Sequence, residues 1–215
     1  MSGPSIASLP WRRGVVSGCC ALIAIKERTQ CKSRLQQHLS SEQRIALVRR
    51  MLSAVIAAAH GAHSVAQVIV LSPERDTVDD EVPVLADSGL GLNEALWQAR
   101  RALQAMGCRE LVVLPADLPQ VSGAEIDRLV RAGRRGGFAI APDVAQSGTN
   151  ALCLATAQPF QFKFGLGSRQ LHLREALRLG LKPRTVNAPG LAFDIDTPAD
   201  LLRWNNLACP TQLQA

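Results

Sequence analysis

The sequence predicts an α/β domain with a mostly parallel sheet covered by helices on both faces. Three observations predict it: short continuous apolar runs recur along the chain, amphipathic helical stretches alternate with them, and acidic, basic or glycine-bearing loops follow the runs directly.

Cys19 to Ile25 (CCALIAI) has the unbroken apolar character of a buried parallel strand and closes in the charged Lys26-Glu27-Arg28. Ser40 and Gln43 stand at capping-box spacing, and Ile45, Val48, Leu52, Val55 and Ala59 recur every three or four residues, so a helix is expected until Gly61. Gln67 to Ser72 and Pro83 to Asp87 read as two more strands, separated by an acidic loop around Asp76 to Glu81. A helix over 92–106 stops at Gly107, Glu110 to Pro115 (ELVVLP) is a fourth strand, and 122–135 a further helix. Phe138 to Pro142 and Ala151 to Ala155 are apolar runs, followed by a helix over 168–179, a strand near 184–187 and a short helix after Thr197.

A chain of 215 residues suits one well-buried core. With no internal repeat, low-complexity tract or dividing linker, residues 18–208 are assigned to a single three-layer domain. Residues 1–17 read as a loose N-terminal extension and 209–215 as a C-terminal tail.

The net charge of +6 raises nucleic acid, an anionic membrane or a small polyanion as partners. There is no Tyr, and no segment interleaves Lys or Arg with aromatic rings as a single-strand stacking platform needs. Small phosphorylated ligands are therefore expected, and nucleic acid is not. No run approaches the roughly 18 apolar residues of a spanning helix, so no membrane partner is expected either. The lipobox-like Val16-Ser17-Gly18-Cys19 follows Arg12-Arg13 too closely to leave room for the apolar stretch of an export signal. Six cysteines without a C-x-x-C pair or zinc spacing read as reduced thiols. The expected compartment is the cytoplasm, and the chain should fold alone or as a small oligomer such as a homodimer.

Asp117, in Leu114-Pro115-Ala116-Asp117-Leu118-Pro119, stands just past the C-terminal end of a predicted strand, where open α/β sheets bind ligands. Its plain alternative is a turn aspartate. Asp194 and Asp196, at i and i+2 in Phe193-Asp194-Ile195-Asp196-Thr197-Pro198, project to one side of an extended segment. One of them could join Asp117 on a hard divalent cation such as Mg²⁺, while Asp196 or Thr197 caps the helix that follows. Lys26, Lys32 and Arg34 put three cations on the loop leaving the first strand, suited to a triphosphate or simply to solvent. Neither the Walker nor the dinucleotide glycine pattern is present.

Phe164-Gly165-Leu166-Gly167-Ser168 opens a predicted helix whose backbone N–H groups and Ser168 hydroxyl can converge on an anion. Thr149 and Asn150 offer a hydroxyl and an amide between two predicted strands, or form a plain hairpin turn. Asp87 to Asn93 (DSGLGLN) could approach a base or ribose, or only start a helix. The four histidines show no metal spacing or nucleophile pairing and are assigned to surface and core. No G-x-S-x-G elbow supports a hydrolytic triad.

In order, AIKERTQCKSRL, GLGLNEAL, VVLPADLP, GTNAL, FGLGS and DIDTPADL resemble the guanylyltransferases that act on 2-phospho-L-lactate, phosphoenolpyruvate or 3-phospho-D-glycerate in the biosynthesis of the deazaflavin coenzyme F-420. The likeness spans residues 20 to 204. It implies a glycosyltransferase-A-like nucleotidyltransferase fold and a reaction of GTP with a small phosphorylated acid, with Mg²⁺ as cofactor and a downstream transferase as candidate recipient of the product. By the same resemblance, Lys26, Lys32 and Asp117 serve catalysis, Lys26, Lys32, Arg34 and Asn93 the nucleotide, Thr149, Gly165 and Ser168 the acid, and Asp117, Asp194 and Asp196 the metal. The first-strand motif departs from the family's usual P-x-K, reading Ala24-Ile25-Lys26. The rival readings are the same fold with a molybdopterin or sugar phosphate as acceptor, and a non-catalytic nucleotide- or nucleic-acid-binding module.

Overall fold

A computed structural model describes residues 18–25, 35–74, 82–87 and 89–208. Seven strands form one sheet: β1 (Cys19–Ala24), β2 (Val65–Ser72), β3 (Val84–Ala86), β4 (Glu110–Pro115), β5 (Phe138–Pro142), β6 (Thr149–Ala155) and β7 (Arg184–Thr185). Their spatial order is β3-β2-β1-β4-β6-β5-β7. Pairing is parallel except that β6 runs antiparallel to both β4 and β5, its neighbours.

Alternation along the strands explains the two cores. Cys19, Ala21 and Ile23 of β1 join one apolar cluster, and Cys20 and Leu22 join the other. On the first face, α1 (Ser41–His60) contributes Val48, Met51 and Val55, and α3 (Gly123–Gly136) contributes Ile126, Leu129 and Val130. α5 (Pro189–Ala192) and α6 (Pro198–Ala208) add Leu191 and Trp204 to that face. On the second, α2 (Leu92–Ala105) contributes Leu96 and Leu103, and α4 (Ser168–Arg178) contributes Ala176. Each fully buried Leu, Ile or Val stabilises by about 2 kcal/mol relative to exposure, so both strand faces must be covered.

The expected helix starts are present. Ser40 accepts from the N–H of Gln43, and the Gln43 side chain accepts from the N–H of Ser40. Ser122 and Glu125 repeat the arrangement on α3. This helix lies tight on the sheet at Gly133, where a Cβ would come 2.9 Å from Cys153 Sγ. Cys19, Cys20, Cys108 and Cys153 are buried free thiols, and Cys31 and Cys209 lie outside the described residues.

The main differences from the sequence expectation are at element ends and in one added turn. β2 begins at Val65 instead of Gln67 and β6 at Thr149 instead of Ala151, β7 is confined to two residues, and the turn of helix α5 has no counterpart in the sequence reading. The N-terminal extension, the acidic loop at 76–81 and the C-terminal tail lie outside the described residues.

Candidate active site

β1 continues to β2 on one side, whereas β4 lies on its other side, so the strand order reverses between β1 and β4. Loops diverge at such a point and leave a crevice at the carboxyl ends of the strands. A cleft of about 610 Å³ opens there.

One wall is acidic. The N–H of Ala116 donates to the carbonyl of Ala24 at 3.1 Å, which fixes the chain just past β4 and sets Asp117 in the cleft. The N–H of Ile195 donates to the carbonyl of Asp117 at 3.3 Å, and Ile195 is itself fully buried. Asp194 and Asp196, on either side of it, both line the cleft. Asn150 Nδ2 donates to the Ala192 carbonyl at 2.9 Å and to Asp194 Oδ1 at 3.3 Å, holding that carboxylate from the neighbouring strand. Thr197 is the residue that caps α6: its hydroxyl accepts from the N–H of Asp200, and Asp200 accepts from the N–H of Thr197 at 2.8 Å.

Burial pushes the Asp194 carboxyl above the ordinary carboxylate range, and the charges of Asp117 and Asp196 push it further, against the Asn150 amide. A hard cation would relieve that repulsion. Among the described residues no three His, Cys, Asp or Glu side chains are gathered as a ready-made metal set. The three aspartates therefore share a wall without forming a closed cage. Such a donor set fits magnesium, which commonly takes one or two carboxylates and fills its other positions with water and substrate phosphates.

Thr149, Gly165 and Ser168 also line the cleft. Gly165 and Gly167 hold φ values of 133° and 67°, and neither would meet a neighbour through an added Cβ, so these glycines serve backbone shape. From the sequence, the first N–H groups of α4 are expected to be available to an anion. Instead the N–H of Ser168 donates to Gly165, that of Arg169 to Ser147 and that of Gln170 to Gly167. What this side gives to the cleft lining is the glycine loop with Ser168 and Thr149.

Asn93, in the first turn of α2, engages its whole amide with one residue of this loop. Its Oδ1 accepts from the N–H of Phe164 at 2.7 Å, and its Nδ2 donates to the Phe164 carbonyl at 3.1 Å. Asn93 thus ties the glycine-bearing segment before α2 to the one before α4. Lys26, Lys32 and Arg34 lie outside the described residues; Ile25, directly before Lys26, lines the cleft.

The model of the guanylyl transferase CofC-like family matches residues 19–204. The chain belongs to that family. A phosphoenolpyruvate guanylyltransferase from Rubrobacter xylanophilus is 40% identical over 85% of this chain and 91% of its own length. One of the same name from Sphaerobacter thermophilus is 37% identical over 84% and 89%. Among solved structures, a nucleotidyl transferase from Methanothermobacter superposes with a TM-score of 0.64 at 19% identity, covering 91% of this chain and all of that one. A Desulfovibrio desulfuricans chain assigned as a nucleotide-diphospho-sugar transferase gives 0.72 at 17% identity, covering 92% and 89%. At these identities the structures speak for the fold alone. This CofC-like chain is a nucleotidyltransferase on the nucleotide-diphospho-sugar transferase fold.

His172, whose ring meets Thr149, is a buried histidine as its lack of any spacing signal suggests, and nothing local in the sequence marks that contact. The hold of Asn150 on Asp194, which joins residues 44 apart in the chain, has no local signal either. No described helix is long and apolar enough to cross a membrane.

Proposed function

We propose that this guanylyltransferase joins the guanylyl group of GTP to phosphoenolpyruvate, with 2-phospho-L-lactate and 3-phospho-D-glycerate as the alternative acceptors, and that the product serves coenzyme F-420 biosynthesis. The observation that carries the reading is the shared cleft: an acidic wall of Asp117, Asp194 and Asp196, with Thr149, Gly165 and Ser168 facing the same space. The name borne by relatives near 40% identity favours phosphoenolpyruvate.

An oxygen of the acceptor's phosphate attacks the α-phosphorus of GTP, a new P–O–P linkage forms, the bond from the α-phosphorus to the bridging oxygen breaks, and pyrophosphate leaves. A phosphate monoester with a second pKa of about 6 is largely dianionic at neutral pH, so the attack needs no general base. The protein's task is to align two anions and offset their repulsion. Magnesium, when bound, would supply positive charge that screens the phosphates. Asp117 and Asp194 would hold it, with Asp196 adding negative charge to the same wall. Lys26 and Lys32, with Arg34, are assigned to the triphosphate, and Thr149, Gly165 and Ser168 to the acid.

Pyrophosphate release from GTP and Mg²⁺ with each of the three acids in turn tests the reading, with the downstream transferase and its acceptor supplied to consume a labile product. Release with phosphoenolpyruvate is expected. Release with none of them, from folded protein, would refute it and direct attention to molybdopterin or sugar phosphates.

A further inference from the structure

His172 lies in the middle of α4, wholly buried, and the reaction outlined above makes no use of it. Its two ring nitrogens are both engaged. Nε2 stands 2.8 Å from the backbone N–H of Lys163, and Nδ1 stands 3.0 Å from Thr149 Oγ1. A backbone N–H can only donate, so Nε2 is the acceptor and carries no proton. The proton of the neutral ring is therefore on Nδ1, and Nδ1–H donates to the Thr149 hydroxyl. The surroundings keep the ring neutral: Phe164 packs edge-on at 4.8 Å between centroids and Phe160 lies at 5.8 Å. Burial first, and the nearby Lys163 charge second, bring the imidazole down to about 4.

A hydroxyl has one proton and two lone pairs. Once Thr149 Oγ1 accepts from His172, its own proton must go to a different acceptor, and among the described residues Thr149 Oγ1 has no second partner. The residue is a cleft-lining one.

We propose that His172 is a positioning residue that fixes the Thr149 hydroxyl as a hydrogen-bond donor aimed into the cleft, where it takes an oxyanion of the phosphorylated acid. The same ring braces Lys163, next to the Phe164 that Asn93 holds, so one buried side chain sets both the hydroxyl and the entry of the Gly165 loop. Without the imidazole, the hydroxyl is free to rotate, and part of the time it presents lone pairs to an anion. The inference rests on the proposed reading of this wall as the acceptor's side.

The experiment is steady-state pyrophosphate release with phosphoenolpyruvate and GTP, comparing the wild type with Thr149→Val, His172→Leu and the double variant. His172→Gln is the companion for a fold that does not tolerate Leu, since its amide can still accept from Lys163 while withdrawing the donor from Thr149. Each single variant should raise the KM for phosphoenolpyruvate by about tenfold, the scale of one hydrogen bond to a charged group, and leave the KM for GTP unchanged. The double variant should be no worse than Thr149→Val alone, a coupling that a merely structural His172 would not produce. A rise for Thr149→Val with none for folded His172 variants, or effects that multiply in the double variant, would overturn the role of His172. An unchanged KM in Thr149→Val would instead remove the acceptor assignment on which it rests.

Discussion

The backbone N–H of Ile195 donates to the carbonyl of Asp117, 78 residues earlier in the chain, at 3.3 Å. This bond brings the loop after β4 alongside the segment before α6, and with it the three aspartates to one wall. Ile195 is buried in the core beneath them, so the acidic residues are presented by packing as well as by the backbone.

Asn150 is the side chain that steadies this wall. Replacing it with Leu leaves the Ala192 carbonyl and Asp194 without their amide donor, which should cost about 1–3 kcal/mol of stability. The same change removes the side-chain contact that lowers the Asp194 carboxyl against burial and its acidic neighbours, so the magnesium concentration for half-maximal turnover should rise. Urea unfolding and a magnesium titration of turnover measure the two effects. A variant with wild-type values in both would show that the amide does not hold the wall.

The helix α5 that precedes Asp194 is anchored through Glu125. One carboxylate oxygen accepts from the N–H of Ser122 at 3.0 Å in the capping box, and the other accepts from the N–H of Gly190 at 2.8 Å. A Cβ at position 190 would run into that carboxylate and the Gln120 carbonyl. Gly190→Ala should therefore destabilise by about 1–3 kcal/mol, and Glu125→Ala by about 1–2 kcal/mol, as shifts of the urea midpoint. A wild-type midpoint for Gly190→Ala would contradict the close approach.

The titration of His172 gives a pH dependence of stability. Its folded pKa is lowered to about 4 from an ordinary 6.5, so between those values the unfolded chain binds the proton more readily. The stabilisation of the neutral ring is complete above pH 6.5 and is lost progressively as pH falls towards 4, by about 3 kcal/mol in all. Urea unfolding of the wild type at pH 7 and pH 5 should show this slope, and His172→Gln should lose it. Parallel pH profiles for the two proteins would rule it out.

The layers of the fold are legible because the strands are apolar on both faces and the helices are not. Cys19 to Ile25 and Glu110 to Pro115 announce themselves as buried strands, and the Ser40 and Ser122 capping boxes mark helix starts. Thr149 and Asn150 read as turn residues because they are polar, yet they begin β6: their side chains are buried against His172 and Asp194, partners that only the folded sheet supplies. α5 is a single turn, too short for a helical period to show. That Asp117, Asp194 and Asp196 line one cleft is legible from their places after a strand and at i, i+2. Asn93, Asn150 and His172, which hydrogen-bond Phe164, Asp194 and Thr149 of the cleft lining, are not recognisable in that role, since each contact is tertiary.

The most direct test compares pyrophosphate release by the wild type and Asp117→Ala in one mixture of GTP, Mg²⁺ and phosphoenolpyruvate, with circular dichroism confirming that both are folded. The wild type should release pyrophosphate only when the acid and magnesium are both present, and Asp117→Ala should lose about a thousandfold or more of that rate, as expected when electrostatic stabilisation of a transition state is removed. A folded Asp117→Ala that turns over at the wild-type rate, or a wild type that releases no pyrophosphate with this acid or with either alternative acceptor, would contradict the account.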